Sequence, residues 1–145
     1  MFKHILLPTD GSPLSEGAVL GGIGLARALG ARVTALHVIP PFHLMTYRPG
    51  KLEQTREEYE QESAAVAEGL LAFVAKAAAD RGVACETLIE GRDDIYRAII
   101  DVAMARACDL IVMASHGRRG IAGLLMGSQT QHVLTHGRIP VLVWR

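Results

Sequence analysis

The apolar positions change period along the chain, and each change marks an element. Ile5-Leu6-Leu7 is a short continuous apolar run closed by Pro8, the pattern of a strand covered on both faces. From Ser12 the period turns helical. Ser12 offers an N-cap, Pro13 suits the first helical position, and Glu16 falls in the first turn. Leu14, Ala18, Leu25 and Leu29 form its stripe, and Gly30 supplies a stop. Gly17, Gly21, Gly22 and Gly24 lie inside that helix, each costing about 1 kcal/mol against alanine, which predicts close packing of helix on sheet.

Val33 to Ile39 reads as a second strand ended by Pro40-Pro41, and residues 42–52 as a loop. A long helix then runs to about Arg81, with a stripe of Val66, Leu70, Phe73, Val74 and Ala77. Its mainly acidic start, Glu53 to Glu62, reads as a solvated face near a helix N-terminus, and Gly82 as its stop. Val83 to Glu90 alternates, with Glu86 and Glu90 outward, and suits a half-exposed edge strand. Asp93 or Asp94 can cap a third helix striped by Ile95, Ile99 and Val102. Leu110 to Ala114 is again continuously apolar and so central. A glycine-rich loop, a helix from about Ser128 to His136 and a last strand, Val141 to Trp144, complete the chain.

Strict alternation of five strands and four helices predicts the α/β class, a parallel sheet covered on both faces with right-handed crossovers. In such sheets a ligand sits beyond the carboxyl ends of the strands, where strand order reverses. The 145 residues are expected to form a single domain, 1–145, with half of them apolar and 21% charged. Fifteen basic side chains balance fifteen acidic ones, so no bulk field favours nucleic acid or a membrane surface. The opening apolar run is too short for a signal peptide, and no window reaches the roughly 18 apolar residues of a span. Cys85 and Cys108 are too few and too far apart for a disulfide scaffold or a CxxC motif. Together these features predict a soluble cytoplasmic protein.

Two segments stand at carboxyl ends of buried strands: Pro8-Thr9-Asp10-Gly11-Ser12, and the loop from Ala114-Ser115-His116-Gly117-Arg118-Arg119-Gly120 through Gly123 to Gly127-Ser128. The glycines of the second let backbone N–H groups approach a ligand, and Gly127-Ser128 opens a helix whose N-terminus suits an anion. Charge sharpens this reading. Asp109 is the last acid, so residues 110–145 carry Arg118, Arg119, Arg138 and Arg145 against none. Phosphate is the expected ligand. Asp10 reads equally as an acceptor for a ribose hydroxyl or adenine edge, as an outer-sphere magnesium ligand, or as an Asx-turn ordering Gly11 and Ser12. His116 either touches phosphate or caps the strand end. His132 and His136 are i,i+4 but lack an evident third metal ligand, and read as exposed histidines. Cys85 and Cys108 have no adjacent base and read as inert thiols.

The spacing Ala114-x2-Gly117-x9-Gly127-Ser128 resembles the nucleotide-binding loop of the universal stress protein family, Gly-x2-Gly-x9-Gly-Ser/Thr, with Ala114 standing at the family's first glycine. The opening His-Ile-Leu-Leu-Pro-Thr-Asp-Gly-Ser, Leu36-His37-Val38, Asp109 to Met113, and Pro140 to Val143 are similar to that family too. The resemblance implies a Rossmann-like, adenine nucleotide alpha hydrolase-like sheet of order 3-2-1-4-5, bound ATP, and a homodimer. Carried over, Pro8, Thr9 and Asp10 would meet the adenosine, Val38 the adenine through its backbone, and Met113 the base. Gly117, Gly127, Ser128 and Gln129 would hold the phosphates, with Ala114, His116 and Arg118 beside them. The homodimer would form through the last strand, at Val141, Val143 and Trp144. Trp144 itself reads either as ordinary edge covering or as part of that contact.

These features favour a stress or signalling module that binds ATP, or AMP or ADP, with Mg2+ as a further candidate cofactor, and changes conformation or partner with occupancy. Alternatives are a dimeric scaffold that binds no nucleotide, and a slow ATP-hydrolysing enzyme. Fast phosphoryl transfer lacks its usual parts: no Walker-type Gly-Lys-Ser/Thr occurs, and Lys51 and Lys76 stand away from strand ends. A phospho-receiver would want clustered acids after the first strand, where Asp10 stands alone, and an Asp where Gly91 follows the third. Nucleic-acid binding would rest on arginines without aromatic stacking partners and ranks last.

Overall fold

The computed structural model describes residues 1–42, 55–117 and 126–145. Nine elements follow one another: β1 (His4–Pro8), α1 (Pro13–Leu29), β2 (Arg32–Ile39), α2 (Arg56–Asp80), β3 (Cys85–Gly91), α3 (Ile95–Ala105), β4 (Leu110–Ala114), α4 (Ser128–His136) and β5 (Val141–Trp144). The five strands form one sheet in the order β3-β2-β1-β4-β5, as expected. All four strand pairs are parallel, with Ile5 beside Val33 on one side and Leu110 on the other.

Alternation along each strand sends side chains into two cores. Ile5, Leu7, Val33, Ala35 and Val112 pack with Val19, Ile23 and Ala26 of α1 and with Leu71, Val74 and Ala78 of α2. Leu6, Leu36, Val38, Ile111 and Met113 face the other way, onto Ala98, Ile99 and Val102 of α3 and Val133 of α4. The central strands are thus covered twice, which explains their unbroken apolar runs.

The punctuation in the sequence works largely as read. The Ser12 hydroxyl accepts from Ser15 N, Pro13 opens α1, and Gly30 closes it at φ 66°, a left-handed conformation that glycine adopts without strain. Thr55 and Glu58 form a reciprocal capping box on α2. Asp94 precedes α3 without a side-chain cap, and Gly127 rather than Ser128 is the N-cap residue of α4.

The stripe expected on α2 needs correction. The buried residues are Tyr59, Ala67, Leu71, Val74 and Ala78, so Val74 is inside while Val66 and Phe73 remain 54% and 42% exposed. The helix carries two apolar stripes, and periodicity alone does not say which one meets the sheet. Tyr59 helps fix the choice, because its hydroxyl donates to the Pro40 carbonyl at the end of β2.

The glycines of α1 do serve close packing. A β-carbon at Gly22 would collide with Leu7 of the sheet, and one at Gly17 would lie 3.1 Å from the Trp144 indole nitrogen. Gly24 has nothing within 4 Å, and nothing in the structure explains it. No described helix is long and apolar enough to cross a membrane.

Candidate functional site

Strand order reverses between β1 and β4, since the chain leaves β1 towards β2 and β3 and returns to the other side for β4 and β5. A ligand cleft is expected above that point, and an open hollow of about 130 Å3 lies there. Its wall from β1 and the turn into α1 is Pro8, Thr9, Asp10 and Ser15. Leu36 and Val38 come from β2, Ile95 and Ile99 from α3, and Met113, Ala114, His116 and Gly117 from the end of β4. Gln129 and Thr130 close it from the first turn of α4. The mixture of apolar walls with a few polar groups is that of small-molecule sites.

The β1 side is held by a compact hydrogen-bond net. Thr9 N donates to Leu36 O at 2.9 Å, and His37 Nδ1 donates to Thr9 O at 2.8 Å, which places a proton on that ring nitrogen. The Ser15 hydroxyl donates to Thr9 Oγ1 at 2.9 Å and accepts from Asp10 N at 3.3 Å. Asp10 Oδ1 accepts from Ser12 N at 2.9 Å, so the Asx-turn foreseen for this residue is formed. Its second oxygen, Oδ2, faces the Gly117 backbone so closely that a β-carbon there would strike it. Gly117 is therefore a position where the end of β4 and the end of β1 meet across the cleft, and only a missing side chain allows it.

The β4 side is tied to α4. Thr130 Oγ1 donates to Ala114 O at 2.8 Å, and Gly127 N donates to Ser115 O at 2.5 Å. A β-carbon on Gly127 would approach His116 Cα to 3.1 Å. The start of α4 is consequently pressed against the strand end, and its first turn, whose N–H groups have no partner within the helix, contributes Gln129 and Thr130 to the lining. Gln129 has a second duty: its Oε1 accepts from Tyr96 N at 3.0 Å, within the first turn of α3. Its amide NH2 is what remains to offer the cleft.

Nine of the residues singled out in the sequence line this hollow together: Pro8, Thr9, Asp10, Val38, Met113, Ala114, His116, Gly117 and Gln129. Gly127 and Ser128 stand just outside the lining, at the α4 N-terminus. Arg118, with Arg119, Gly120 and Gly123, lies outside the described residues. Sequence reasoning missed Ser15, Leu36, Ile95, Ile99 and Thr130 as lining. The aliphatic ones were legible only as core, because periodicity does not distinguish a wall facing a cleft from one facing a helix. Ser15 carried a faint signal, a hydroxyl one turn from the Ser12 cap.

Other candidates lie elsewhere. His132 and His136 are exposed and group with the Tyr96 ring, whose centroid is 4.7 Å from that of His132. Among the described residues no set of three or more His, Cys, Asp or Glu is arranged to hold a metal ion. Burial pushes the Cys85 thiol up, and burial with the nearby Asp109 charge pushes that of Cys108 to about 11, so neither is an activated nucleophile.

Comparison with known proteins agrees with this architecture. The model of the universal stress protein family matches residues 1–145. A universal stress protein of Thermus aquaticus is 33% identical over 147 residues, covering 100% of both chains. The solved structure of the Methanocaldococcus jannaschii universal stress protein MJ0577 superposes with a TM-score of 0.84 at 27% identity, covering 99% of this chain and 96% of that one. Two more distant structures share the fold. One is a universal stress protein in complex with cAMP (TM-score 0.74, 21% identity, 99% and 97% covered). The other, from Archaeoglobus fulgidus, is in complex with dAMP (0.69, 18%, 100% and 98% covered).

Proposed function

Given that this chain belongs to the universal stress protein family, we propose that it binds an adenine nucleotide, ATP in the first place, in the cleft above β1 and β4. The observation that carries the reading is the approach of Gly117 to the Asp10 carboxylate, which leaves backbone instead of side chain on the cleft floor beside an anion-favouring helix start. Distant relatives of the same fold are named as complexes with cAMP and dAMP, which supports an adenine nucleotide over other anions.

In this reading the base lies against Val38 and Met113, with Leu36, Ile95 and Ile99 completing an apolar slot. The Val38 backbone reads its edge, and Pro8, Thr9 and Asp10 meet the ribose. Gly117, Gly127, Ser128 and the Gln129 amide cradle the phosphates, with His116 and Arg118 adding donors. Ala114, at the family's first glycine, is 9% exposed and adds its methyl group to the lining. Asp10 is the one acid among the described lining residues, so Mg2+ would arrive with the phosphates and meet the protein there.

The protein then acts as a stress or signalling module: occupancy stabilises one arrangement of the strand-end loops, and a partner distinguishes the two. A homodimer through the open edge of β5, with Val141, Val143 and Trp144, belongs to the same proposal. The direct test is mass spectrometry of small molecules retained through purification, followed by calorimetric titration with ATP, ADP, AMP and cAMP. A retained adenine nucleotide, or saturable heat with ATP, is expected; an empty protein giving no heat with any of the four overturns the reading.

A further inference from the structure

The two stripes of α2 carry an inference separate from the cleft. The outer stripe runs Glu62, Val66, Gly69, Phe73 and Lys76, with steps of four, three, four and three residues. That is the spacing of a helix–helix seam, yet in the folded chain Val66 is 54% and Phe73 42% exposed, with Ala65, Gly69 and Ala72 exposed between and beside them. A glycine inside a helix weakens it, and Gly69 has no compensation within the chain: a β-carbon there would meet nothing within 4 Å. In α1, Gly17, Gly21 and Gly22 make room for a neighbour, whereas Gly24, like Gly69, has nothing within 4 Å. Gly69 differs from Gly24 in lying on one stripe with the exposed Val66 and Phe73.

We infer that the outer face of α2 is a self-association surface, on which a second copy of this chain lays its own α2 antiparallel, with a two-fold axis through Gly69. The stripe is self-complementary about that residue. Seven positions to either side stand Glu62 and Lys76, so each acid of one copy meets the base of the other. Four positions away, Phe73 meets Ala65, and three away Val66 meets Ala72, a large side chain against a small one in every case. On the axis glycine meets glycine, and the two backbones can approach closely. An isologous contact requires this kind of matching. The one like-charge encounter, Asp80 against Glu58, falls at the outer ends, where crossing helices diverge. There Asp80 is already paired with Lys76 at 2.8 Å, and Glu58 is engaged in the Thr55 capping box.

The face lies over β2 and β3, at the opposite end of the sheet from β5, so it is independent of the edge contact proposed above. A single helix pair buries less than the usual 1,200–2,000 Å2 of stable complexes, and association through it is correspondingly weak and concentration-dependent.

Cysteine cross-linking of the full-length protein tests this independently of any other contact. Gly69→Cys places two thiols on the axis within disulfide reach, whereas Glu68→Cys points about 100° round the helix. Mild oxidation is expected to give a Gly69→Cys dimer at least fivefold above both Glu68→Cys and the parent chain with its own two cysteines. Equal yields in the three overturn the inference. A charge exchange supplies the second arm. Glu62→Lys or Lys76→Glu alone should weaken self-association about tenfold by sedimentation equilibrium, and the double exchange should restore it, because a two-fold contact re-pairs the swapped charges. A double exchange no better than either single variant means that the face receives some other partner, and refutes the second-copy assignment.

Discussion

The indole of Trp144, at the end of the edge strand β5, lies against Gly21 of α1 so closely that a β-carbon on Gly21 would collide with its six-membered ring. The five-membered ring of the same indole lies against Gly17 one turn earlier. Trp144 therefore does what a covering residue does, closing the flank of the sheet onto α1, while 37% of it stays exposed at the edge. The two readings left open by the sequence are compatible, since the buried face of the ring serves the fold and its rim remains at the edge.

This relationship makes opposite predictions for two glycines of one helix. Gly21→Ala should drive the indole outward and cost about 1 kcal/mol net, overpacking outweighing the gain in helix propensity. Gly24→Ala meets nothing within 4 Å and should stabilise by about 0.5–1 kcal/mol. Because Trp144 is the sole tryptophan, its emission should shift to the red in the first variant and stay unchanged in the second. Urea unfolding with fluorescence detection checks both.

At the cleft, Gly117→Val sets a side chain against the Asp10 carboxylate. The clash is confined to the strand ends, so the expected result is at least a tenfold loss of ATP affinity with thermal unfolding within a degree or two of the parent. Calorimetric titration and a melting curve decide it. Retained affinity would mean that the nucleotide does not use this floor.

Most of the fold was legible in the chain because the signals were local. Ser12, Pro13 and Gly30 each do at α1 what their chemistry prescribes, and the apolar runs of β1 and β4 announce burial on both faces. The α2 stripe was misread because Val66-Leu70-Phe73 and Ala67-Leu71-Val74-Ala78 are both periodic, and only the contact with the sheet chooses between them. At the cleft, strand-end residues such as Asp10 and Gly117 stood out by position, whereas Ile95 and Ile99 did not. Their exposure to a hollow depends on where α3 sits relative to β4, a tertiary relation that no local pattern encodes.

The edge of β5 offers a further test, with a refinement from the packing. Val141 packs onto the core shared with α3 and α4, so a charge there would unfold the flank instead of reporting on association. Leu142 is 37% exposed and faces the other way along the strand. Leu142→Asp is expected to shift the sedimentation profile towards monomer with the circular dichroism unaltered. An unmoved profile would argue against pairing through this edge.

The last prediction concerns pH and the floor of the sheet, opposite the cleft. His4 is 5% exposed; its Nε2 lies 2.7 Å from Thr34 Oγ1, and its Nδ1 has no hydrogen-bond partner among the described residues. Burial first, and the Arg32 charge second, hold its pKa below the ordinary 6.5. The folded state thus prefers neutral imidazole, while the unfolded chain takes up a proton as the pH drops past 6.5. The unfolded state then binds more protons, so stability is complete above that pH and declines below it, until the folded pKa is passed. Asp109 answers in a separate, more acidic window: its desolvation is outweighed by hydrogen bonds from His4 N and Lys3 N, which lower its pKa below 3.8. Urea midpoints measured from pH 7.5 to 5 should therefore fall for the parent, and the fall should flatten in His4→Gln, which cannot titrate but can still hydrogen-bond Thr34. Parallel curves for the two proteins would show that some other group governs the acid sensitivity.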